Sequence, residues 1–295
     1  MFENVCLKNP DRFLNIPPLG RCDIEKALEK VVNTLKPTLT DFIGKFPKTI
    51  TGSYKEAPNH WSRNRYMAVD KPDWGNALWT GLYWMIYELT GDMEFRNAAE
   101  SQVEVCKRVL AERYKLNDHD TGFKFIPTCV AAYKVTGDNE ARNAAISAAD
   151  ILLEHYCQEN GFIIRSGKGS MEEPYEFYRT LVDSMMNIPL FFWASEETGD
   201  KKYMDAAVRH YYTTLKYLIR EDGSSYHHYQ FDPETSAPMY GVTLQGNSDK
   251  SCWSRGHAWG VYGFPIAYSY VKEPFIKDIH KKVAYFMLNH LPEDM

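Results

Sequence analysis

The sequence predicts an all-α fold, a two-layer ring of helical hairpins of the (α/α)6 toroid, or six-hairpin barrel, type. The tripeptide Thr-Gly-Asp occurs three times, beginning at Thr90, Thr136 and Thr198, each time between an apolar helical run and an amphipathic one. Glycine can end the first helix in a left-handed cap, and aspartate can cap the second. Apolar first helices followed by helices with one polar face are typical of an inner layer surrounded by an outer one.

The hairpins that can be recognised are too few for a closed ring. A fourth copy without Thr-Gly-Asp runs over residues 258–291, and residues 24–42 supply an earlier helix. Four or five pairs can be counted, against six in a closed (α/α)6 barrel. We therefore expect residues 1–295 to form a single domain whose C-terminal part is missing from this sequence.

Composition and charge exclude several classes of protein. Hydrophobic residues make up 44% and charged residues 25% of the chain, as in soluble globular proteins. The net charge of -5 gives no reason to expect nucleic-acid binding, which normally leaves a basic surface. No stretch is long enough to span a bilayer, and the first 16 residues lack the apolar core of a signal peptide.

The register of the repeat places one group of residues at the same end of the first helices. Gly81, Pro127 and Pro189 each lie nine residues before the threonine of their Thr-Gly-Asp, and Pro265 is the matching position of the fourth copy. Equivalent positions of a ring lie on one rim. The side chains six or seven residues upstream of these anchors are Trp74, Asp120, Asp183 and Trp259.

Asp120 and Asp183 are the candidate catalytic residues. Each stands where a helix is expected to begin, so an N-capping role is the simpler alternative for either one alone. Two carboxylates brought together repel each other when both are ionised, so that one keeps its proton at higher pH. An acid beside a base is the equipment of glycoside chemistry. We expect Asp183, among apolar neighbours, to have a raised pKa.

Three further polar residues are candidates for substrate binding. His227 lies in a short predicted strand that ends at a turn over residues 232–235, where either His227 or His228 could point inward. Arg255 stands near two tryptophans and suits bidentate binding of a ligand carboxylate, with a salt bridge to Asp249 as the alternative. Gln245 is ambiguous alone. Asp118-His119-Asp120 could in principle bind a cation, but no established metal-ligand motif or phosphate loop is present, so neither a metal nor a cofactor is expected.

Five spaced motifs resemble the unsaturated glucuronyl hydrolases of glycoside hydrolase family 88, from about Trp74 to the end of the chain. They are His119-Asp120-Thr-Gly-Phe, Val182-Asp183-Ser-Met-Met-Asn-Ile-Pro, Phe192-Trp-Ala-Ser-Glu-Glu-Thr-Gly-Asp200, Arg220-Glu-Asp-Gly-Ser-Ser-Tyr-His227 and Trp253-Ser-Arg-Gly-His-Ala-Trp-Gly-Val-Tyr-Gly-Phe264. The chain departs from the family in having His257 where glutamine is usual, which we expect to alter contacts near the sugar.

The resemblance implies a glycosidase that hydrates a double bond. Such an enzyme removes the terminal 4,5-unsaturated uronic acid from oligosaccharides, here of glycosaminoglycan type, made by polysaccharide lyases. Asp183 matches the general acid and base, and Asp120 matches a second acid that holds the sugar and tunes Asp183. The matching substrate-binding residues are His227, Gln245, Arg255, Trp259 and Trp74. The resemblance further implies a bacterial protein of the cytoplasm or periplasm, acting as a monomer on an oligosaccharide.

Three alternatives stay open at this point. An unsaturated rhamnogalacturonyl hydrolase has the same fold and chemistry but acts on pectin fragments. A sugar epimerase on a similar ring would use histidines as paired bases. A glycan-binding protein without activity would have no need of paired acids.

Overall fold

The computed structural model describes residues 5–48, 66–165 and 178–294. Its α-helices are α1 (Asp11–Leu14), α2 (Arg21–Leu35), α3 (Leu78–Thr90), α4 (Met93–Ala111), α5 (Thr121–Phe125), α6 (Ala131–Thr136), α7 (Asn139–Glu154), α8 (Pro189–Thr198), α9 (Lys201–Tyr217), α10 (Ser254–Val271) and α11 (Pro274–Asn289). These helices confirm the predicted all-α class. None of them is both long and apolar enough to cross a membrane.

The three Thr-Gly-Asp turns have the predicted geometry. Gly91, Gly137 and Gly199 are left-handed, with φ of 72°, 76° and 74°, and each N–H closes the helix before it. The aspartates at 92 and 200 cap the next helix, each accepting a hydrogen bond from a backbone N–H two residues on. Each threonine hydroxyl also accepts the N–H of the aspartate two positions later. The tripeptide is therefore a complete helix-to-helix turn.

The fourth turn differs because it lacks glycine. Lys272 follows α10 in the same left-handed conformation, with φ of 53°. An L-residue with a side chain reaches this conformation only at a cost of roughly 1–2 kcal/mol. The fourth copy has thus kept the shape of the turn without the residue that best accommodates it.

The chain divides into two compact units. The first comprises Met1–Ile16, Asn117–Gly122 and Ala149–Met295, and the second comprises Pro17–Leu116 and Phe123–Ala148. In the second unit, α3 packs on the segment after α5 so closely that a β-carbon on Gly81 would lie 2.9 Å from Pro127 Cβ. Two anchors of the repeat register are therefore in contact. The prediction of one domain over residues 1–295 stays a prediction.

Two local features depart from the regular hairpin. A π-helical turn, Ile126–Val130, separates α5 from α6, where Pro127 cannot donate the usual backbone hydrogen bond. The early helix predicted over residues 24–42 is α2 followed by a 3-10 helix, Lys36–Phe42.

Short strands connect the helices. They are β1 (Phe46–Pro47), β2 (Ala68–Val69), β3 (Tyr156–Cys157), β4 (Phe162–Ile163), β5 (Arg179–Leu181), β6 (His228–Phe231) and β7 (Pro238–Val242). β5, β6 and β7 form an antiparallel sheet in that order. The predicted strand is present but begins at His228, one residue after His227. The predicted turn is confirmed, since Asp232 accepts the N–H groups of Glu234 and Thr235 where β6 turns into β7. All three residues of β5 are buried, so the turn that follows it, Val182–Met186, begins in the core.

Candidate active site

Asp183 lies in a 3-10 turn, Val182–Met186, that follows β5 directly. Leu181 of β5 pairs with His228 of β6, and the Val182 N–H donates to the carbonyl of His227. The sheet thereby fixes the turn, and Asp183 is only 8% exposed. The alternative N-capping role is excluded for Asp183, because Leu181 is the N-cap of the 3-10 turn and Ile188 is the N-cap of α8.

Asp120 and its neighbour His119 are held against this turn by backbone contacts. The Arg165 carbonyl accepts hydrogen bonds from both the N–H and the ring Nδ1 of His119, at 3.2 and 3.1 Å. Gly122 then passes so close to Asn187 that a β-carbon on it would lie 2.4 Å from Asn187 Cα. Only glycine permits this approach, which brings the segment 119–122 onto the segment that carries Asp183.

A buried imidazole joins the two predicted carboxylates. His119 Nε2 lies 3.3 Å from an oxygen of Asp120 and 3.3 Å from an oxygen of Asp183. The side chain of His119 is 6% exposed, and those of the two aspartates are 19% and 11% exposed. We call these three residues the Asp–His–Asp triad. Sequence reasoning considered His119 only as a weak candidate cation ligand and missed its contact with both carboxylates, although it stands in the His-Asp motif already singled out.

The imidazole changes the electrostatics expected of the pair. Burial disfavours the charged ring, but the carboxylates of Asp120 and Asp183 outweigh burial and raise the pKa of His119 to about 10. Burial likewise pushes the Asp183 pKa upward, and the His119 cation reverses this, so that the Asp183 pKa lies below its ordinary value. The expected raised pKa of Asp183 is therefore wrong, because a cation lies between the two carboxylates.

His227 and His228, either of which was expected to point inward, are both buried. The His227 ring lies 4.6 Å from the Trp253 ring, between centroids, and its pKa is lowered to about 4, mainly by burial. His228 lies instead beside the guanidinium of Arg179, with 3.4 Å between Nη1 and Nε2. Of the two histidines, His227 is therefore the one that contacts Trp253, the ring on which Arg255 lies.

Arg255 lies over two indole rings and against Gln245. Its guanidinium carbon is 4.6 Å from the Trp253 ring and 5.5 Å from the Trp259 ring, and Nη2 donates to Gln245 Oε1 at 2.9 Å. The two indoles meet edge to face at 5.3 Å. The structure thus brings together three of the candidate substrate-binding residues, Arg255, Gln245 and Trp259, and adds Trp253 to them. The carboxylate of Asp249, the alternative partner, accepts the backbone N–H of Thr243 at 3.1 Å.

Gly256 explains how Trp253 reaches this position. A β-carbon on Gly256 would lie 2.4 Å from the Trp253 ring and 3.0 Å from Val182, the neighbour of Asp183. The indole therefore lies across the first turn of α10, where a side chain at position 256 would otherwise stand. In the Arg-Gly dipeptide of this motif, Arg255 provides the cation that stacks on the Trp253 ring, and Gly256 leaves the space that this ring occupies.

His257, the departure from the family motif, faces the protein core. It is 2% exposed; its Nε2 donates to the Val283 carbonyl at 3.0 Å, and its Nδ1 accepts from the Ser225 hydroxyl at 3.1 Å. Both ring nitrogens are used by protein groups. His257 was expected to alter contacts near the sugar. Instead, its two hydrogen bonds link α10 to α11 and to the loop that precedes His227.

Trp74 belongs to the second compact unit, whereas the other six predicted site residues belong to the first. Within its own unit, Trp74 is half-buried and meets the edge of the Phe123 ring at 5.9 Å. Its predicted role as a stacking wall of the site stays a prediction.

The Asp–His–Asp triad is also the group of described residues whose spacing would suit a cation. One ligand atom from each of the three residues lies within 4.8 Å of the others. The direct contacts of the imidazole with both carboxylates account for this spacing by ion pairing alone.

A pair of mostly buried carboxylates beside an aromatic wall and an exposed guanidinium, in an all-α chain, is the arrangement expected of a carbohydrate-active enzyme. The model of Glycosyl Hydrolase Family 88 matches residues 43–289. An unsaturated chondroitin disaccharide hydrolase of Streptococcus pneumoniae is 41% identical over 288 residues, 98% of this chain and 69% of that protein. This chain belongs to glycoside hydrolase family 88.

Solved structures agree with this assignment. The unsaturated glucuronyl hydrolase of Streptococcus agalactiae matches with a TM-score of 0.91 and 38% identity, over 99% of this chain and 70% of that one. A variant of that enzyme complexed with dGlcA-GalNAc6S matches with a TM-score of 0.81 and 35% identity, over 100% and 70% of the two chains. The predicted fold class is confirmed, and the protein is a glycosidase.

Proposed function

We propose that this chain removes the terminal 4,5-unsaturated uronic acid from lyase-generated oligosaccharides of glycosaminoglycan type. The observation that carries the proposal is the Asp–His–Asp triad beside the wall formed by Trp253, Trp259 and Arg255. A uronate needs a cation for its carboxylate and a flat apolar surface for its ring, and Arg255 lies on such a surface. The names of the relatives, which refer to chondroitin and glucuronyl substrates, support the substrate class.

Asp183 acts as the general acid and base of the reaction. It delivers a proton to C4 of the vinyl ether, and positive charge then develops at C5, next to the ring oxygen. Water adds at C5 while Asp183 takes one of its protons. The product is a hemiketal, which opens and releases the rest of the saccharide without displacement at C1. General acid–base catalysis of this kind contributes about 10²–10⁴-fold to the rate.

The other residues bind and orient the sugar. Asp120 accepts hydroxyl hydrogen bonds and completes the negative surroundings of His119. Arg255 binds the uronate carboxylate, Gln245 supports the guanidinium, and His227 contacts the sugar between Asp183 and Trp253. Trp259 provides a stacking surface, and the family resemblance assigns the same role to Trp74.

The alternative substrate is an unsaturated rhamnogalacturonyl unit from pectin. The fold and the carboxylates would serve it equally, but the relatives named for chondroitin and glucuronyl substrates favour the glycosaminoglycan type.

A panel of unsaturated disaccharides tests the proposal. The assay follows the loss of ultraviolet absorbance of the conjugated double bond, for chondroitin-derived, heparin-derived and pectin-derived disaccharides, each with and without sulfate where that exists. Turnover of the glycosaminoglycan set is expected. Turnover of the pectin set alone would contradict the substrate class, and an unchanged absorbance with an altered sugar configuration would indicate an epimerase.

We further propose that the protein works as a monomeric, single-domain enzyme in the cytoplasm or periplasm of a bacterium. The oligosaccharide is its only partner in this proposal. Light scattering of the purified chain at several concentrations tests the oligomeric state, and a mass that rises with concentration would contradict it. Fractionation of the native cell tests the compartment.

A further inference from the structure

The tautomer of His119 is fixed by its contacts. The Arg165 carbonyl can only accept, so the ring nitrogen Nδ1, 3.1 Å away, carries a hydrogen. Nε2 is therefore the only ring nitrogen whose protonation can vary. It lies 3.3 Å from a carboxylate oxygen on each side, buried from water.

This geometry requires one proton to be shared within the Asp–His–Asp triad. If Nε2 carried no hydrogen, its lone pair would face two anionic oxygens, and the repulsion in a buried site would be large. Relief comes either from a proton on Nε2 or from a proton on one carboxyl that faces it. Both states have the same net charge of about -1, and they differ only in where the proton lies.

The other buried histidines near the triad do not have this arrangement. His210 Nδ1 accepts the Ile163 N–H at 3.0 Å, and burial, followed by repulsion from His119, lowers its pKa to about 3. Burial is also the main reason for the His227 pKa of about 4, since the attraction of Asp183 is opposed by nearby cations. Among these three histidines, only His119 lies between two carboxylates.

We propose that His119 stores the proton that Asp183 delivers to the substrate, so that the triad acts as one proton donor. This inference rests on the proposed function and deepens it. In the resting enzyme the proton lies on Nε2 and Asp183 is a carboxylate. As the vinyl ether is protonated at C4, the proton passes from Nε2 through the Asp183 carboxyl to carbon, and His119 becomes neutral.

The second half of the reaction restores the proton. The charge left at C5 is met by water, whose oxygen forms the new bond to carbon. One water proton passes to Asp183 and on to Nε2, which returns the imidazolium and the carboxylate. One water molecule is added across the double bond, with no other reactant. His119 is thus a positioning residue that acts through Asp183. Asp183 can serve as the general acid although its pKa is lowered, because the proton that it delivers comes from His119.

Nitrogen-15 NMR of the free enzyme tests this inference without substrate. The signal assigned to His119, identified by its loss in His119→Gln, is expected to be that of a doubly protonated ring at pH 7 and to titrate near pH 10. In Asp183→Asn its titration is expected to move downward, because one of the two carboxylates is gone. A singly protonated His119 at pH 7 in the unmodified enzyme would overturn the proposal, whatever the substrate is.

Kinetics provide the second measurement. His119→Gln is expected to lower kcat about 100-fold and to change KM less than about threefold, since proton transfer and not binding is affected. The fall of kcat at alkaline pH should also begin at a lower pH than in the unmodified enzyme. His280→Gln, at a half-buried histidine bonded to Tyr211, is the matched control and should keep kcat. A folded His119→Gln enzyme with unchanged kcat and pH profile would overturn the proposal.

Discussion

Gly122 lies against the backbone of Asn187, with room for a hydrogen but not for a β-carbon. This approach holds the segment of Asp120 and His119 on the turn that carries Asp183. Gly122→Ala is therefore expected to push the two segments apart and to lower kcat about 100-fold, as a displacement of about 1 Å can do. The overpacking should also reduce the free energy of unfolding by about 1–3 kcal/mol.

The same substitution at Gly137 is the control. Gly137 is left-handed, with φ of 76°, and no atom would obstruct a β-carbon there. Gly137→Ala is expected to lose about 1 kcal/mol of stability to backbone strain while kcat stays unchanged. Urea denaturation and steady-state kinetics of both variants measure the difference. Equal kcat for the two variants would show that the close approach at Gly122 has no bearing on the site.

Asp183→Asn is expected to abolish turnover while substrate binding stays within about tenfold of the unmodified enzyme. The amide cannot exchange a proton with C4 or with water, but it keeps the size of the carboxyl group. Asp120→Asn should also reduce kcat strongly, since it removes one of the two anions around His119. Calorimetry gives the affinity and the absorbance assay gives the rate. Retained activity of Asp183→Asn would refute its role as acid and base.

Arg255→Ala is expected to raise KM about 10–100-fold and to affect kcat less, because a charged hydrogen bond contributes about 1.5–3 kcal/mol to binding. Arg255→Lys should recover only part of the affinity, since lysine keeps the charge but loses the planar contact with Trp253 and Trp259. Arg21→Ala, at an exposed residue paired with Glu25, is a control for loss of a cation. A fall in kcat without a change in KM would place Arg255 in the chemical step instead of binding.

Lys272→Gly is expected to stabilise the protein by about 0.5–1 kcal/mol. The substitution relieves the left-handed strain of a side-chain-bearing residue, partly offset by the greater freedom of glycine when unfolded. Lys272→Ala, which keeps the strain, should give no such gain. Denaturation midpoints of the two variants decide the matter. A gain from alanine equal to that from glycine would mean that removal of the lysine side chain, and not the backbone, is responsible.

The helical hairpins and the pairing of Asp120 with Asp183 could be predicted because they follow from a repeated local pattern. Three copies of Thr-Gly-Asp give the turns, and the same register gives positions that share an end of the inner helices. The role of His119 could not be predicted in this way, because it depends on the Arg165 carbonyl, 46 residues away, orienting the ring. The same holds for Asp183, whose pKa is set by a cation from another segment, and for His257, whose partners lie on other elements.

The Thr-Gly-Asp turns follow the inner helices, whereas the residues proposed for chemistry stand before them. Each turn is closed by bonds between residues at most five positions apart. Changes in a turn therefore alter how firmly a hairpin forms without rearranging the reacting groups. A stabilising substitution in a Thr-Gly-Asp turn is therefore expected to raise the unfolding temperature without changing kcat, which makes these turns suitable positions for engineering heat resistance.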